Sequence, residues 1–219
     1  MKSLKITLFA ILGMSLTSQA QSWTELEVNA GTYLVQGEMQ ITEVGANNIN
    51  PALTVSLHTR AHNSNSFAFG GSISTFTMQG DFSDNSKEWL SGHEVSGMGF
   101  NAQASIRYIM TGRDDMRFMK GAFLTYIEGA AGAQMISFQT TYPPATGDNL
   151  SNTTLVRQTE VTPIATATLG MQYYIDYNWG VNMRLSGSAT GSDQLDGVVG
   201  VTDTKDYIWM ATVGVSYAF

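Results

Sequence analysis

The sequence predicts an all-β fold, an eight-stranded antiparallel up-and-down transmembrane β-barrel with four long loops at one end and short turns at the other. Three observations predict it. Apolar and polar residues alternate with period 2 through unusually long segments, no charged residue falls on the apolar rows, and aromatic residues gather at the ends of those rows.

The chain opens MKSLKITLFAILGMSLTSQAQS. Lys2 and Lys5 make a basic start, Ile6 to Leu16 is an apolar run, and Ser18 and Ala20 place small residues where a signal peptidase reads. Residues 1–20 are expected to be a cleaved secretory signal, and residues 21–219 the barrel domain. The apolar run is too short to cross about 30 Å of hydrocarbon as an anchor. The formal charge of −7 becomes −9 once the two positive charges of Lys2 and Lys5 leave. There is no basic patch for nucleic acid. With 22 glycines, 4 prolines and no cysteine, the composition favours twisted strands and tight turns over helices or disulfide staples.

The strands follow in order. In 24–36, Leu26, Val28, Ala30, Thr32 and Leu34 alternate with Glu27, Asn29, Gly31 and Tyr33. In 51–60, Leu53, Val55 and Leu57 alternate with Thr54, Ser56, His58 and Arg60. The third, 66–78, sets Phe67, Phe69, Gly71 and Ile73 on one face; Phe76 breaks that phase, which predicts a bulge near Ser74. In 95–110, Met98, Phe100, Ala102, Ala104, Ile106 and Tyr108 oppose Asn101, Gln103, Ser105 and Arg107. In 118–138, Lys120 and Glu128 share the face opposite Phe123, Ile127 and Ala131. In 158–177 a row from Val161 to Tyr177 alternates with a row from Thr162 to Asp176. In 180–191, Val181, Met183, Leu185, Gly187 and Ala189 oppose Asn182, Arg184, Ser186 and Ser188. The last, 206–219, carries Tyr207, Trp209, Ala211, Val213, Val215, Tyr217 and Phe219. Connections near 37–50, 79–94, 139–157 and 192–205 are long; those near 61–65, 111–117 and 178–179 are short. The alternation of long and short is that of a meander.

A soluble barrel would turn its apolar rows inward. Strands well beyond the soluble mean of about 5–6 residues match a tilted bilayer crossing, which needs roughly 9–11. A Lys or Arg facing mid-bilayer lipid costs about 2–4 kcal/mol, which accounts for charge-free rows; a surface in water has no such requirement. Tyr207 and Trp209 at one end, with Tyr217, Phe219, Tyr108, Tyr177 and Trp179 at the other, make two interfacial girdles.

The closing residues Thr212-x-Gly214-x-x-Tyr217-x-Phe219 match the C-terminal signal of bacterial outer-membrane barrels. With the signal peptide and eight strands, the chain resembles small barrels of the OmpA, OmpX and OmpW type. The resemblance implies a Gram-negative outer membrane, both termini in the periplasm, long loops outside the cell, contact with lipopolysaccharide, and recognition by the barrel assembly machinery. Unlike in full-length OmpA proteins, no peptidoglycan-binding domain is expected after the barrel.

Inward rows carry Glu27, His58, Arg60, Arg107, Lys120, Glu128, Glu160, Asp176 and Arg184. Buried charges persist only when paired, so a lumen network of Glu27, Arg60, Arg107, Lys120, Glu128, Asp176 and Arg184 is expected. Counting from the turns puts Glu128 and Arg184 at mid-depth and the others near the turn end. Such a network either satisfies the core or gates a narrow path, as members of the resembled class are credited with doing. Acidic loops, with Asp193, Asp196 and Asp203 the best group, lack any calcium motif, and no metal or cofactor is expected. His62 in HNSNS and His93 in SGHE offer Ser–His spacings that a Ser-rich loop produces by chance, so no catalytic residue is assigned. The expected role is a non-enzymatic structural or interaction protein; the alternatives are a narrow channel and, less favoured, a lipid-modifying enzyme. Small lipid-facing residues Gly129, Ala131 and Ala133 permit close packing with an envelope partner.

Overall fold

In a computed structural model of the chain, the structure describes residues 24–36, 50–60, 66–81, 94–111, 120–142, 154–191 and 207–219. Eight strands form: β1 Thr24–Gln36, β2 Asn50–Arg60, β3 Phe67–Asp81, β4 Glu94–Ile109, β5 Phe123–Tyr142, β6 Thr154–Tyr174, β7 Trp179–Thr190 and β8 Tyr207–Ala218. Each pairs antiparallel with its sequence neighbours, and β1 pairs with β8, from Glu25↔Ala218 to Gln36↔Tyr207, to close the barrel. Closure leaves no unpaired edge along the wall, where each lone backbone group in hydrocarbon costs several kcal/mol. Among the described residues no helix is long and apolar enough to cross a membrane.

The faces are inverted relative to a soluble barrel. Val213 is 61 % exposed on the outside while Thr212 beside it is 3 % exposed inside. Leu169, Leu185, Met183, Ile106, Ile127 and Val161 likewise face out. A continuous apolar band of this kind is unstable in water and stable against lipid chains. Aromatics mark its margins. Trp179 meets Tyr217 edge-on with centroids 4.9 Å apart, and Tyr217 meets Phe219 at 5.0 Å. Phe67 and Tyr108 pair at 5.1 Å. Between these margins the small residues Gly129, Ala165, Ala167, Gly187 and Ala189 leave an outward groove of 1140 Å³ under Trp209 and Tyr207.

Four strands rise past the rim at the long-connection end. β5 and β6 stay paired as far as Tyr142↔Thr154, and β3 and β4 as far as Asp81↔Glu94, while β7 leaves β6 at Ile164↔Thr190. Pro163 sits at that departure. Its carbonyl accepts from the Gly191 N–H, so its own nitrogen faces the same side, where the ladder ends and a missing donor costs nothing.

Three expectations about the strands change. No bulge forms in β3: pairing to β4 is continuous from Phe67↔Tyr108 to Asp81↔Glu94. Phe76 is out of phase with Phe67 because it points inward. β5 begins at Phe123, not 118, because Lys120 and Gly121 form a turn in which Gly121 takes φ 87°. β6 stops at Tyr174 and residues 175–178 make the tight turn into β7.

Placing Arg at Leu169 should cost about 2–4 kcal/mol in phospholipid vesicles, whereas Arg at Asn178 in the turn should cost only about 1 kcal/mol, for the hydrogen bond its Nδ2 gives the Ala218 carbonyl. Urea unfolding of both variants checks this; equal small effects would show that Leu169 does not meet lipid.

Candidate functional site: the charged lumen

Inward side chains are set by the pleat, and their depth by the stagger between strands. Start at Gln172 in β6 and step across register partners: Asn182, Gly214, Asn29, Thr54, Ser74, Asn101, Gln134 and back to β6 at Thr162. The circuit returns ten residues from its start, 172 against 162. That stagger tilts every strand and brings residues at different distances from their turns to one level.

At that level Glu27 of β1, Arg107 of β4, Glu128 of β5 and Arg184 of β7 close a ring. Arg107 donates from Nη1 and Nη2 to Glu27 at 2.5 and 3.1 Å, and from Nε and Nη2 to Glu128 at 3.0 and 2.8 Å. Arg184 donates from Nη1 to Glu27 at 3.0 Å and from Nη2 to Glu128 at 2.9 Å. Each carboxylate thus bridges both guanidiniums, and each guanidinium both carboxylates. All four are buried, and charges so placed are tolerated only with such multiple bonding.

Neighbours complete the ring. Ser56 accepts from Arg184 Nη1 at 2.9 Å. His58 Nε2 lies 3.3 Å from Glu128 Oε2 and 3.1 Å from Ser105 Oγ. The Tyr126 ring lies under the Arg107 guanidinium, 3.8 Å from centroid to Cζ. Tyr126 fits because β6 offers Gly170 opposite it: a Cβ there would overlap the ring. On the turn side, Glu25 accepts from Gln172 Nε2 and, at 3.3 Å, from the Tyr174 hydroxyl.

Apolar clusters flank the ring on both sides. Toward the turns lie Ile109, Ala122, Leu124, Tyr126, Tyr174 and Ala218. Toward the loops lie Tyr33, Phe76, Met78, Ile136, Phe138, Ile164 and Ile208. Tyr33 and Phe76 stack at 3.8 Å with planes 11° apart. Phe76 rests on Gly99, where a Cβ would overlap its ring.

Of the seven lumen residues expected from sequence, the structure brings Glu27, Arg107, Glu128 and Arg184 together. Arg60 is buried at the turn end of β2. Lys120 and Asp176 must be corrected. Lys120 is exposed in the turn before β5, so it lies outside the lumen. Asp176 lies in the β6–β7 turn, where its Oδ1 accepts from the backbone N–H of Asn178 at 2.9 Å and of Trp179 at 2.6 Å. Those backbone donors hold its carboxyl below the usual range. The depth assignment also changes: Glu27 and Arg107 share the level of Glu128 and Arg184, because counting from each turn ignores the stagger. Glu25, Ser56, Tyr126, Gln172 and Tyr174 were missed as partners. The signal for Glu25 was present, since the inward phase of Glu27 runs back to it; Tyr126 shares the phase of Glu128.

In the proposed assembly signal, Thr212 and Gly214 face inward, while Tyr217 and Phe219 point outward into the aromatic cluster with Trp179. The signal segment 1–20, His62, His93, Asp193, Asp196 and Asp203 lie outside the described residues. Among the described residues no group of acidic or His side chains is arranged to hold a metal ion.

No family model matches the sequence, and no curated protein does. Among solved structures the chain is similar to Ail, the attachment invasion locus protein of Yersinia pestis, at 10% identity, covering 90% of this chain and 99% of that one, with a TM-score of 0.48. It is similar to the outer membrane protein OprG of Pseudomonas aeruginosa at 15% identity, covering 91% and 96%, with a TM-score of 0.43. A major outer membrane protein of Thermus thermophilus aligns at 12% identity over 90% and 99%, with a TM-score of 0.49. The neighbours are bacterial outer-membrane β-barrels. At such identities the likeness is one of fold alone.

Removing one member of the ring strands the others. Glu128→Ala should lower unfolding stability by about 3–5 kcal/mol, because two buried guanidiniums lose a carboxylate together. Glu128→Gln keeps a hydrogen-bond acceptor and should cost less. Denaturant titration of both in micelles measures the difference; equal costs would show that a neutral acceptor cannot stand in for the carboxylate at all.

Proposed function

We propose that the chain is an integral outer-membrane protein with a plugged barrel, non-enzymatic, acting structurally or by interaction through its loop end. The observation that carries this reading is the order of layers inside: apolar, charged ring, apolar. An eight-stranded lumen has barely room for its own side chains, and here they engage one another across the axis. The loop segments hold half of the chain's 18 acidic residues, such as Glu38, Asp84, Glu88, Asp148 and Asp196, and the β3–β6 extension projects on the same side. In this reading that side faces outward, both termini are periplasmic, residues 1–20 direct export, and lipid with lipopolysaccharide covers the apolar band.

A narrow channel is the second reading, favoured by the ring itself, whose arginines could trade carboxylates to open a wet path. Planar bilayers separate the two. The plugged reading expects no unitary conductance from the protein and none from Arg184→Ala, since both apolar layers remain. A rise in conductance in Arg184→Ala would favour the channel and overturn the plug.

The terminal motif makes a separate demand. Tyr217→Ala together with Phe219→Ala should reduce folded protein in the outer-membrane fraction several-fold during expression, while refolding from urea into detergent proceeds. Quantitative blotting of fractions reads this; an undiminished outer-membrane pool would remove the assembly role.

A further inference from the structure

Pro163 ends the ladder between β6 and β7. The Gly191 N–H is used twice there, donating to the Pro163 carbonyl at 2.9 Å and to Thr162 Oγ1 at 3.1 Å. The reciprocal bond from residue 163 cannot form, because proline has no N–H. β6 still continues to Thr154, held on its other side by β5 as far as Tyr142↔Thr154. Among the described residues no strand pairs with β6 on the β7 side beyond Ile164↔Thr190.

Parity decides which backbone groups this leaves open. In a strand the N–H and C=O of one residue point to the same side, and those of the next residue to the other. The Pro163 carbonyl points toward β7, so the backbone groups of Val161, Thr159, Arg157 and Leu155 do too, while Gln158 and Glu160 turn theirs to β5. From Val161 to Leu155 is roughly 20 Å at about 3.4 Å per residue, the length of an ordinary strand. This stretch passes out of the apolar band. The outward pair Met135–Val161 is apolar; the next, Ser137–Thr159, is polar, with its hydroxyls bonded at 3.2 Å. The open edge therefore faces water and not hydrocarbon.

The opposite margin of the same four-stranded sheet is blunted. β3 outruns β2 after Ala52↔Phe76, but the Gln79 N–H is capped by Asn50 Oδ1 at 2.9 Å. Two open margins would let copies add to one another head to tail without limit; one open margin takes one added strand. A second copy in the same membrane would present its own β6 running in the same direction, which allows only the less stable parallel pairing. A free peptide has no such restriction. The segments 81–94 and 142–160 are acidic, with Asp81, Asp84, Glu88, Glu94, Asp148 and Glu160 against Lys87 and Arg157, and that balance favours a cationic partner.

We propose that the β6 edge from Val161 to Leu155 is a docking site for an extended, cationic peptide segment of another protein, added as a further strand of the β3–β6 sheet. Main-chain hydrogen bonds supply the affinity, and the acidic surroundings supply the charge preference. The site names a partner class for the interaction role proposed above and rests on that reading.

The probe is a synthetic peptide of alternating threonine and valine with a lysine at each end, carrying a fluorophore, on folded protein in micelles. Fluorescence anisotropy should show saturable binding. The same peptide N-methylated throughout should bind at least about tenfold more weakly, and so should one with glutamates in place of the lysines. Thr159→Pro removes an N–H aimed at the open side and leaves the β5 ladder intact, so it should weaken binding at least about tenfold, while Thr159→Ala, which keeps that N–H, should bind as the parent does. Circular dichroism establishes that each variant is folded, and Val161→Pro takes the place of Thr159→Pro if the latter does not fold. Amide exchange gives an independent reading: without peptide the Thr159 N–H should exchange faster than those of Gln158 and Glu160, and peptide should slow it. No saturable binding, undiminished binding by the folded proline variant or by the N-methylated or glutamate-flanked peptide, or a Thr159 amide already protected without peptide would each overturn the docking site. Each of these leaves the plugged barrel to its own test, which is conductance.

Discussion

The interior of this barrel is organised around the fact that two guanidiniums cannot be buried unless each finds more than one carboxylate oxygen. Glu27, Arg107, Glu128 and Arg184 come from β1, β4, β5 and β7, so the ring ties together strands far apart around the wall. Backbone pairing alone joins only adjacent strands. The cross-axis bonds fix which strands face one another and at what relative height. They therefore act on the stagger, since sliding one strand by a pleat would pull a charged group out of reach of two partners at once. Closure in hydrocarbon and the ion ring thus support each other: the wall keeps water from the ring, and the ring resists slippage of the wall.

The aromatic side chains show how the same residue type serves two solvents. Outside, Trp179, Tyr217 and Phe219 cluster edge-on where the chain leaves the band. Inside, Phe76 and Tyr126 each lie across a glycine of a neighbouring strand, Gly99 and Gly170. These glycines are sockets. A methyl group at either would occupy the ring's volume, so the packing of the lumen is written partly in the absence of side chains. Tyr126 also gives Arg107 a π-face on the side where no carboxylate approaches.

Period-2 alternation made the strands and their faces legible, because a side chain's face follows from parity and nothing else. That is why the ring residues could be named from sequence, and why the lipid-facing row from Val161 to Tyr173 was read correctly. Depth was not legible. It depends on the offset accumulated around the barrel, which no single strand records, so Glu27 and Arg107 were placed too low. Lys120 and Asp176 were drawn into the network by extending strands through turns; Gly121 and the Asp176 side chain, bonded to the backbone of Asn178 and Trp179, end the strands first. Phe76 was misread for a third reason. Treating Phe76 as lipid-facing demands a bulge, when strict parity already places the ring inside.

The inward rows are therefore not uniformly polar, and this bears on what the lumen can do. A continuous column of polar side chains would hold water from end to end, and ions could follow it by exchanging partners. Apolar layers on both sides of the ring interrupt that column. Within such a barrel the ring's electrostatics are insulated from both ends, which strengthens each ion pair and raises the cost of breaking it. On the proposed reading, any specificity the protein has toward its surroundings belongs to the loop end, beyond the Tyr33–Phe76 stack.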